Sequence, residues 1–358
     1  MAEKKKLLYI VEAMGGGVFT YLVSLANELV KEYDIFIAYA VRPQTPIDYK
    51  NYFDKRIHLI KIKNFAREIN VFKELKAVGE VKRIAKDIQP DIIHLHSSKA
   101  GVIGRIAFTG KTIPVFYTPH GYSFLMQNYN PMKRKIFKAV EGICAKRTGT
   151  TISCSEGEYQ ESLKISKCAT YVNNAVNTDE LREIIAKVER IEHRFTVFTL
   201  GRICYQKNPA LFNQIAEKMP EICFLWIGEG ELREELKSDN ITVTGWVDRE
   251  KAIDFSMNAD AFLLTSLWEG LPMSMLESMY MKKPCVVTNV IGNNNVIHNN
   301  DNGYVCDTVD DFVEAIREIK DGKAQKYIDK AFKDIFNYYD TRAQAKEYSK
   351  IYKKAMSL

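Results

Sequence analysis

Nowhere does this 358-residue chain run apolar for the roughly 18 residues that a membrane-crossing helix requires. Cysteine is sparse and unpatterned. There are seven, an odd number, never spaced C-x-x-C, which argues against both a disulfide framework and a zinc site. Reduced thiols in the cytoplasm are the expectation. Short-period repeats and low-complexity tracts are missing. So are zinc-finger, single-strand-binding and RNA-recognition signatures, and nucleic acid is not expected as a partner. One fingerprint is half made. Gly15, Gly16 and Gly17 follow the first apolar run, but Thr20 stands where G-x-G-x-x-G needs its third glycine. The next strand ends "IAYAVR" with no acid for a ribose, so a nicotinamide enzyme is disfavoured.

What is present is the composition of a soluble globular protein, 46% apolar and 27% charged, long enough for two domains. The start, "MAEKKKLLYIVEAMGGG", imitates a signal peptide. Its apolar run is short, broken by Glu12 and followed by glycines instead of a cleavage site, so it reads as a first strand. The net charge of +6 is unevenly shared: residues 1–175 hold 27 Lys+Arg and 16 Asp+Glu (+11), the remainder 24 and 29 (−5). A basic first half suggests a polyanion, an anionic membrane surface or a phosphorylated substrate.

Short apolar runs alternate with helical periods, which predicts α/β units with parallel sheets. The expected strands of the first half are "LLYIVEA", "DIFIAYA", "IHLIKI", "DIIHLH", "PVFYTPH" and "TTISCS", with helices over 18–32, 70–88, 99–109, 132–149 and 156–165. After "YVNNAVN" a second series begins: "FTVFTLGR", "CFLWIGEG", "ITVTGWV", "ADAFLLTS", "PCVVTN" and "GYVCD". From about 309 only helical patterns remain. Two doubly wound halves follow: 1–175, then 176–335, with 336–358 a final helix packing back on the first domain. Ligands of such sheets bind at the carboxyl ends of strands, so residues just after strands are the candidates.

Gly15 to Gly17 is the first such place, where the backbone can approach a ligand and a helix opens near Val18; a plain tight turn is the alternative. His94 and His96 alternate in "PDIIHLHSSKAG" and are expected on opposite sheet faces, leaving at most one to line a cleft and making a metal pair improbable. His120 in "YTPHGYSF" ends a strand beside Gly121; it is a site candidate or simply a satisfied histidine. "LGRICYQKNP" sets Arg202 and Lys207 in a loop before Pro209, a clamp for a diphosphate or a solvated pair of charges. "WIGEGEL" offers a second Gly-x-Gly where backbone can pass close to a ligand. Finally, "SLWEGLPMSMLES" holds Glu269 ahead of a helix mouth and Glu277 in the second helical turn, with Pro272 read as the first helical residue; a surface acid followed by a solvent-facing acid on an ordinary helix is the alternative. Such a mouth, with unpaired N–H groups and a positive dipole end, suits a phosphate. Three strand-end features of one half thus converge on a ligand such as a nucleotide diphosphate.

The chain resembles, over essentially its whole length, the large retaining glycosyltransferase family often called family four, which includes bacterial capsule, teichuronic-acid and mannosyl transferases. The resemblance is carried by "GRICYQKNP", "IGEGEL", "GWV", "SLWEGLPMSMLESM", "KPCVVTNVIGN" and "NGYVC", in the family's order. It implies the GT-B fold, an α/β architecture of two doubly wound Rossmann-like domains facing a central cleft. It implies that Arg202 and Lys207 hold the donor diphosphate, that Glu269 stands near the donor sugar, and that Glu277 binds the ribose hydroxyls. Peptide N–H groups of Gly270 and Leu271 would cradle phosphate, Val247 would lie near the base, and His120 near the reacting centre. Gly15, Gly16 and Gly17 would form the loop closing over donor and acceptor. Two departures stand out: Asn295 where relatives often carry an acid, and "NNAVN" for the commoner "NGV" turn, with Asn174 able to take the left-handed conformation that glycine would.

With no D-x-D motif after a strand, the resemblance implies a metal-independent, retaining hexosyl or N-acetylhexosaminyl transferase with no cofactor beyond its nucleotide-sugar substrate, expected to be a UDP-sugar. Its acceptor would be a polyprenyl-diphosphate-linked saccharide in surface-polysaccharide synthesis. A sugar-nucleotide epimerase of the same architecture and a non-catalytic nucleotide-sugar-binding partner subunit are the other readings. Segment 132–149 reads as an amphipathic helix with Ile136, Phe137, Val140, Ile143 and Cys144 on one broad face. It either packs on the first sheet or docks a cytoplasmic enzyme on an anionic membrane surface, at the inner face of the cell membrane.

Overall fold

β1 (Lys6–Val11) has five of its six residues fully buried, as a strand covered by helices on both faces must. The computed structural model describes residues 3–12, 14–42, 45–65 and 71–357, with 71 and 72 described by backbone alone. Ala13 and Asn70, expected at the ends of the first strand and second helix, lie outside these residues, as does Leu358. After β1 come α1 (Gly16–Leu29), β2 (Asp34–Tyr39), β3 (His58–Lys61), α2 (Val71–Ile88), β4 (Ile92–His96) and α3 (Ser98–Ala107). Then follow β5 (Val115–Thr118), α4 (Pro131–Arg147), β6 (Thr150–Ser153), α5 (Glu156–Leu163) and β7 (Ala169–Tyr171). These strands form one parallel sheet in the order β3-β2-β1-β4-β5-β6-β7. Alternate residues of β1 feed two cores: Leu7, Tyr9 and Val11 join α1 on one face, Leu8 and Ile10 join α2 on the other.

The second series is α6 (Thr178–Ile185), β8 (Thr196–Leu200), α7 (Pro209–Glu217), β9 (Cys223–Ile227), β10 (Ile241–Val243) and α8 (Arg249–Met257). It continues with β11 (Ala261–Leu264), α9 (Met273–Tyr280), β12 (Cys285–Thr288), β13 (Tyr304–Cys306), α10 (Val309–Lys320) and α11 (Gln325–Tyr338). Its parallel sheet runs β10-β9-β8-β11-β12-β13. The chain divides into two compact units near residue 174, and α12 (Thr341–Met356) belongs with the first. That helix inserts Tyr348 and Tyr352, both fully buried, into the core of α1 and β1. With α12 counted in, the first unit holds 32 Lys+Arg against 17 Asp+Glu, a net +15, and the second 19 against 28, a net −9.

Two local readings are resolved by the structure. Asn174 does not use the left-handed conformation open to it; its N–H donates to the Cys154 carbonyl at 2.9 Å. α4 turns only one edge of its broad apolar face inward, with Phe137 half-buried against the core and Cys144 buried. It buries Glu141 and Cys144 and leaves Met132, Ile136 and Ile143 exposed. The cause is a polar interior contact. Glu141 pairs with Arg105 at 2.6 Å and accepts from the Tyr117 hydroxyl at 2.9 Å, and Arg105 lies 4.0 Å over the Tyr117 ring. A buried carboxylate held this way fixes the helix rotation, because removing it from its partner would leave an unpaired buried charge.

Candidate functional site

In a doubly wound sheet the crevice opens where strand order reverses, between β8 and β11 in the second unit. The loops after these two strands meet there. Lys207 Nζ lies 2.7 Å from Glu269 Oε1, which also accepts from Ser266 Oγ at 2.7 Å. Gln206 donates to the Trp268 carbonyl at 2.9 Å and to Glu269 Oε2 at 3.3 Å, and its own carbonyl accepts from Leu267 N–H. Both oxygens of a nearly buried carboxylate are thus held in place. Arg202 ends elsewhere, paired with Glu231 at 2.8 Å near the surface, so the two expected clamp cations rest on different carboxylates.

Glycines line this junction, and several of them admit a close backbone neighbour. A Cβ at Gly228 would stand 2.2 Å from the Gly201 carbonyl oxygen, and one at Gly230 would stand 2.0 Å from that of Ile203. The Gly-x-Gly of β9 lets two loops pack backbone to backbone. Across the site, Gly292 fits against Gly270 and Glu269 in the same way, and Asn295 Oδ1 accepts from Gly292 N–H at 3.1 Å.

α9 opens directly after this loop. Side chains cap α4, α5, α6, α7, α8 and α10 at their N-termini, whereas α9 begins behind Pro272, whose side chain has no oxygen to offer its first N–H groups. Proline is therefore the cap, one residue before the helix. An uncapped mouth beside Lys207 presents donors and positive potential to an anion. Glu277, one turn and a half into α9, is 3% exposed and accepts from Arg249 Nη1 at 2.6 Å. Arg249 Nε donates to Glu180 Oε1 at 2.8 Å. Burial acts to lower the Arg249 pKa, but Glu277 and Glu180 outweigh it and hold the guanidinium charged. Val247 lies in the loop between β10 and α8, half-buried next to the exposed Trp246.

The first unit has its own reversal, between β1 and β4. Gly15 caps α1 without a side chain, Gly16 takes φ +57°, and a Cβ there would meet open space. Gly16 and Gly17 are exposed and Gly15 is half-buried. His94 and His96 share one face of β4, their ring centroids 4.2 Å apart, which corrects the expectation of opposite faces. Residues two apart in a strand point the same way; it is Leu95 between them that points to the other core. His94 is bonded to Tyr352 at 2.6 Å and to Thr118 at 2.9 Å, and His96 Nδ1 lies 3.1 Å from His120 Nε2. Burial pushes the pKa of His120 down to about 3 and those of His94 and His96 well below the usual imidazole value.

Sequence reasoning named the residues at both crevices but missed those that hold them. Ser266 was findable, three residues before Glu269 at turn spacing. Arg249 was not, since 28 residues separate it from Glu277 and only the fold joins them.

Residues 15–180 match the model of Glycosyltransferase Family 4 and residues 181–334 that of Glycosyl transferases group 1. The chain is 30% identical over 312 residues to the UDP-Gal:alpha-D-GlcNAc-diphosphoundecaprenol alpha-1,3-galactosyltransferase of Escherichia coli, covering 78% of this chain and 79% of that one. It is 26% identical to the O-antigen biosynthesis glycosyltransferase WbnH of Escherichia coli, over 85% of this chain and 89% of that protein. The solved structure of Anabaena HepE in complex with UDP and glucose superposes with a TM-score of 0.78 at 15% identity, over 98% of this chain and 100% of that one.

Proposed function

The chain belongs to the family-four, GT-B glycosyltransferases of surface-polysaccharide synthesis, and on that premise we propose that it transfers a hexosyl or N-acetylhexosaminyl group from a UDP-sugar to a polyprenyl-diphosphate-linked saccharide, with retention and without a metal ion. One observation carries the reading: at a single strand-order reversal, Lys207, the tethered Glu269 and the uncapped mouth of α9 come together, with Glu277 on the same helix. Cation and helix mouth suit a diphosphate, and a carboxylate on each side suits sugar and ribose hydroxyls. Support for the donor and acceptor classes comes from the galactosyltransferase relative, whose name contains both a UDP-sugar and a diphosphoundecaprenol acceptor.

In this reading the acceptor oxygen bonds to the anomeric carbon on the face from which the diphosphate leaves. The carbon–phosphate-oxygen bond breaks, and the acceptor proton passes to the departing diphosphate. Lys207 and Arg202 meet the charge that develops on the leaving group, which is where preorganised electrostatics contributes most. Gly270 and Leu271 lead into the α9 mouth, where the backbone meets the phosphates, and Val247 flanks the base. His120 and the Gly15–Gly17 loop take part in the transfer.

Peripheral docking on the inner face of the membrane is part of the proposal. Among the described residues no helix is long and apolar enough to cross a membrane. α4 instead exposes Met132, Ile136 and Ile143, which recur on one helical face, with Lys133, Lys135, Lys146 and Arg147 to either side. An apolar ridge between cations is the pattern of an interfacial helix on anionic lipid. The net +15 of this unit favours the same surface.

The test is a transfer assay with a panel of nucleotide sugars, with and without polyprenyl-diphosphate saccharide, in the presence of EDTA. Product on the lipid with its anomeric configuration kept is the expected result. Conversion of the nucleotide sugar without acceptor would instead make the protein an epimerase, and no turnover with any donor would make it a binding subunit.

A further inference from the structure

His96 has one ring nitrogen on His120 and the other, Nε2, buried without a hydrogen-bond partner. Burial keeps both rings neutral, so each carries a single N–H. The bond between them has two possible arrangements. If His120 Nε2–H donated to His96 Nδ1, the proton of His96 would sit on Nε2, a buried N–H with nothing to receive it. Orphaned buried donors are the rarest defect in folded proteins, rarer than under-used acceptors. The opposite arrangement leaves only a bare nitrogen in that enclosed position. His96 Nδ1–H then donates to His120 Nε2, and His120 must carry its own proton on Nδ1. That atom makes no hydrogen bond among the described residues and is not among the enclosed unpartnered atoms.

The surroundings hold this geometry. His120 has φ +55°, a left-handed backbone that a non-glycine residue adopts only when its neighbours enforce it. The next peptide, Gly121 N–H, donates at 2.6 Å to Glu158, whose other oxygen accepts from Cys154 N–H at 2.8 Å. Tyr21 packs edge-on against the His120 ring at 4.6 Å, and its hydroxyl donates to Tyr348 of α12 at 2.6 Å. The His96 and His120 ring planes lie 23° apart, close to the coplanarity that an N–H···N bond prefers.

We infer that His96 is a positioning residue that locks His120 as the Nδ1–H tautomer, so that His120 meets its ligand as a neutral hydrogen-bond donor and never as a base. A donor of this kind suits a sugar hydroxyl or an oxygen gaining negative charge. The inference rests on the reading of His120 as a residue of the transfer site, yet the tautomer itself can be measured with no sugar present.

The primary experiment is nitrogen-15 NMR of histidine-labelled protein, assigned with His96→Asn and His120→Asn. Both rings should appear as neutral Nδ1–H tautomers across pH 5 to 8. A proton on His120 Nε2, or titration of His120 near its ordinary value, would overturn the inference whatever the transfer assay gives. The kinetic arm compares variants. Asparagine places an amide N–H near the Nδ1 position of histidine, whereas leucine has none. His96→Leu should lower kcat roughly 10- to 100-fold, as loss of a partner that orients a functional histidine does, and His96→Asn should recover most of it. His120→Asn should likewise outperform His120→Gln. Equal loss in His96→Leu and His96→Asn, both folded, would reduce His96 to a packing residue. A tautomer as expected with no transfer activity in the wild type would leave the inference standing and fault the proposed function.

Discussion

Arg249 and Glu277 form a buried pair at 2.6 Å that joins the start of α8 to the second turn of α9, with Glu180 on the far side of the guanidinium. Glu277 is left with one oxygen engaged and the other available for a hydroxyl pair. Arg249→Met should therefore weaken UDP binding although Arg249 itself is expected to touch no nucleotide. It should also cost about 3 kcal/mol of stability, since an unpaired carboxylate is left in a buried site. Arg249→Lys should keep the charge and lose the two-sided geometry, with an intermediate affinity. Titration calorimetry with free UDP reads this directly; unchanged affinity in Arg249→Met would detach Glu277 from the nucleotide.

The two carboxylates should separate by assay. Glu277→Ala is expected to depress affinity for UDP itself, while Glu269→Ala spares UDP and depresses transfer. The same loss of UDP affinity in both variants would mean their roles are exchanged or shared.

Removing the diphosphate cations should hurt chemistry more than folding. Lys207→Ala and Arg202→Ala are expected to cost about 10²–10³ in kcat, by analogy with loss of one oxyanion donor. The Arg202→Ala variant should unfold normally, because the pair with Glu231 is largely exposed and contributes little, whereas Lys207→Ala leaves the nearly buried Glu269 without its cation and should lose some stability as well. Near-normal turnover in both variants, measured beside their melting curves, would end the diphosphate assignment.

Acid should unfold this protein early. His94, His96 and His120 have folded-state pKa values below the ordinary 6.5, so the unfolded chain binds more protons as pH drops. Their stabilising contribution is complete above 6.5 and is lost progressively below it, for His120 down to about 3. Each contributes a slope of about 1.4 kcal/mol per pH unit in that window. Glu158, whose carboxyl burial pushes up, opposes this as one group against three. Chemical denaturation at pH 5.5 should find the first unit about 3 kcal/mol less stable than at pH 7.5; equal stability would mean the three rings are not buried neutral.

On vesicles, the exposed ridge of α4 should be as important as the charges beside it. Sedimentation is expected with anionic liposomes, to weaken with salt, and to fall at least about tenfold when Met132, Ile136 and Ile143 are all changed to serine. Those residues are exposed, so folding should not change. Binding that ignored lipid charge, or persisted undiminished at high salt, would rule the docking out.

Period and punctuation made most of the architecture legible in the chain itself. Twelve of the thirteen strands among the described residues follow from local patterns, because a strand covered on both faces must be apolar and its ends must turn; β7, three residues long and only partly buried, does not. Lys207, Glu269 and Glu277 were visible for the same reason, as polar residues stranded at the ends of apolar runs. Partnership was not legible. Nothing in "VDREK" says that Arg249 will reach a carboxylate 28 residues on, and nothing in the last helix says that Tyr352 will cap His94, 258 residues earlier. Helix rotation was equally hidden: α4 carries apolar residues around much of its circumference, and only the buried Arg105–Glu141 pair selects which of them face water. Local propensity depends on neighbours in sequence. Which side chains meet, and which nitrogen of His120 is left with the proton, depends on packing that brings distant segments into one low-dielectric space.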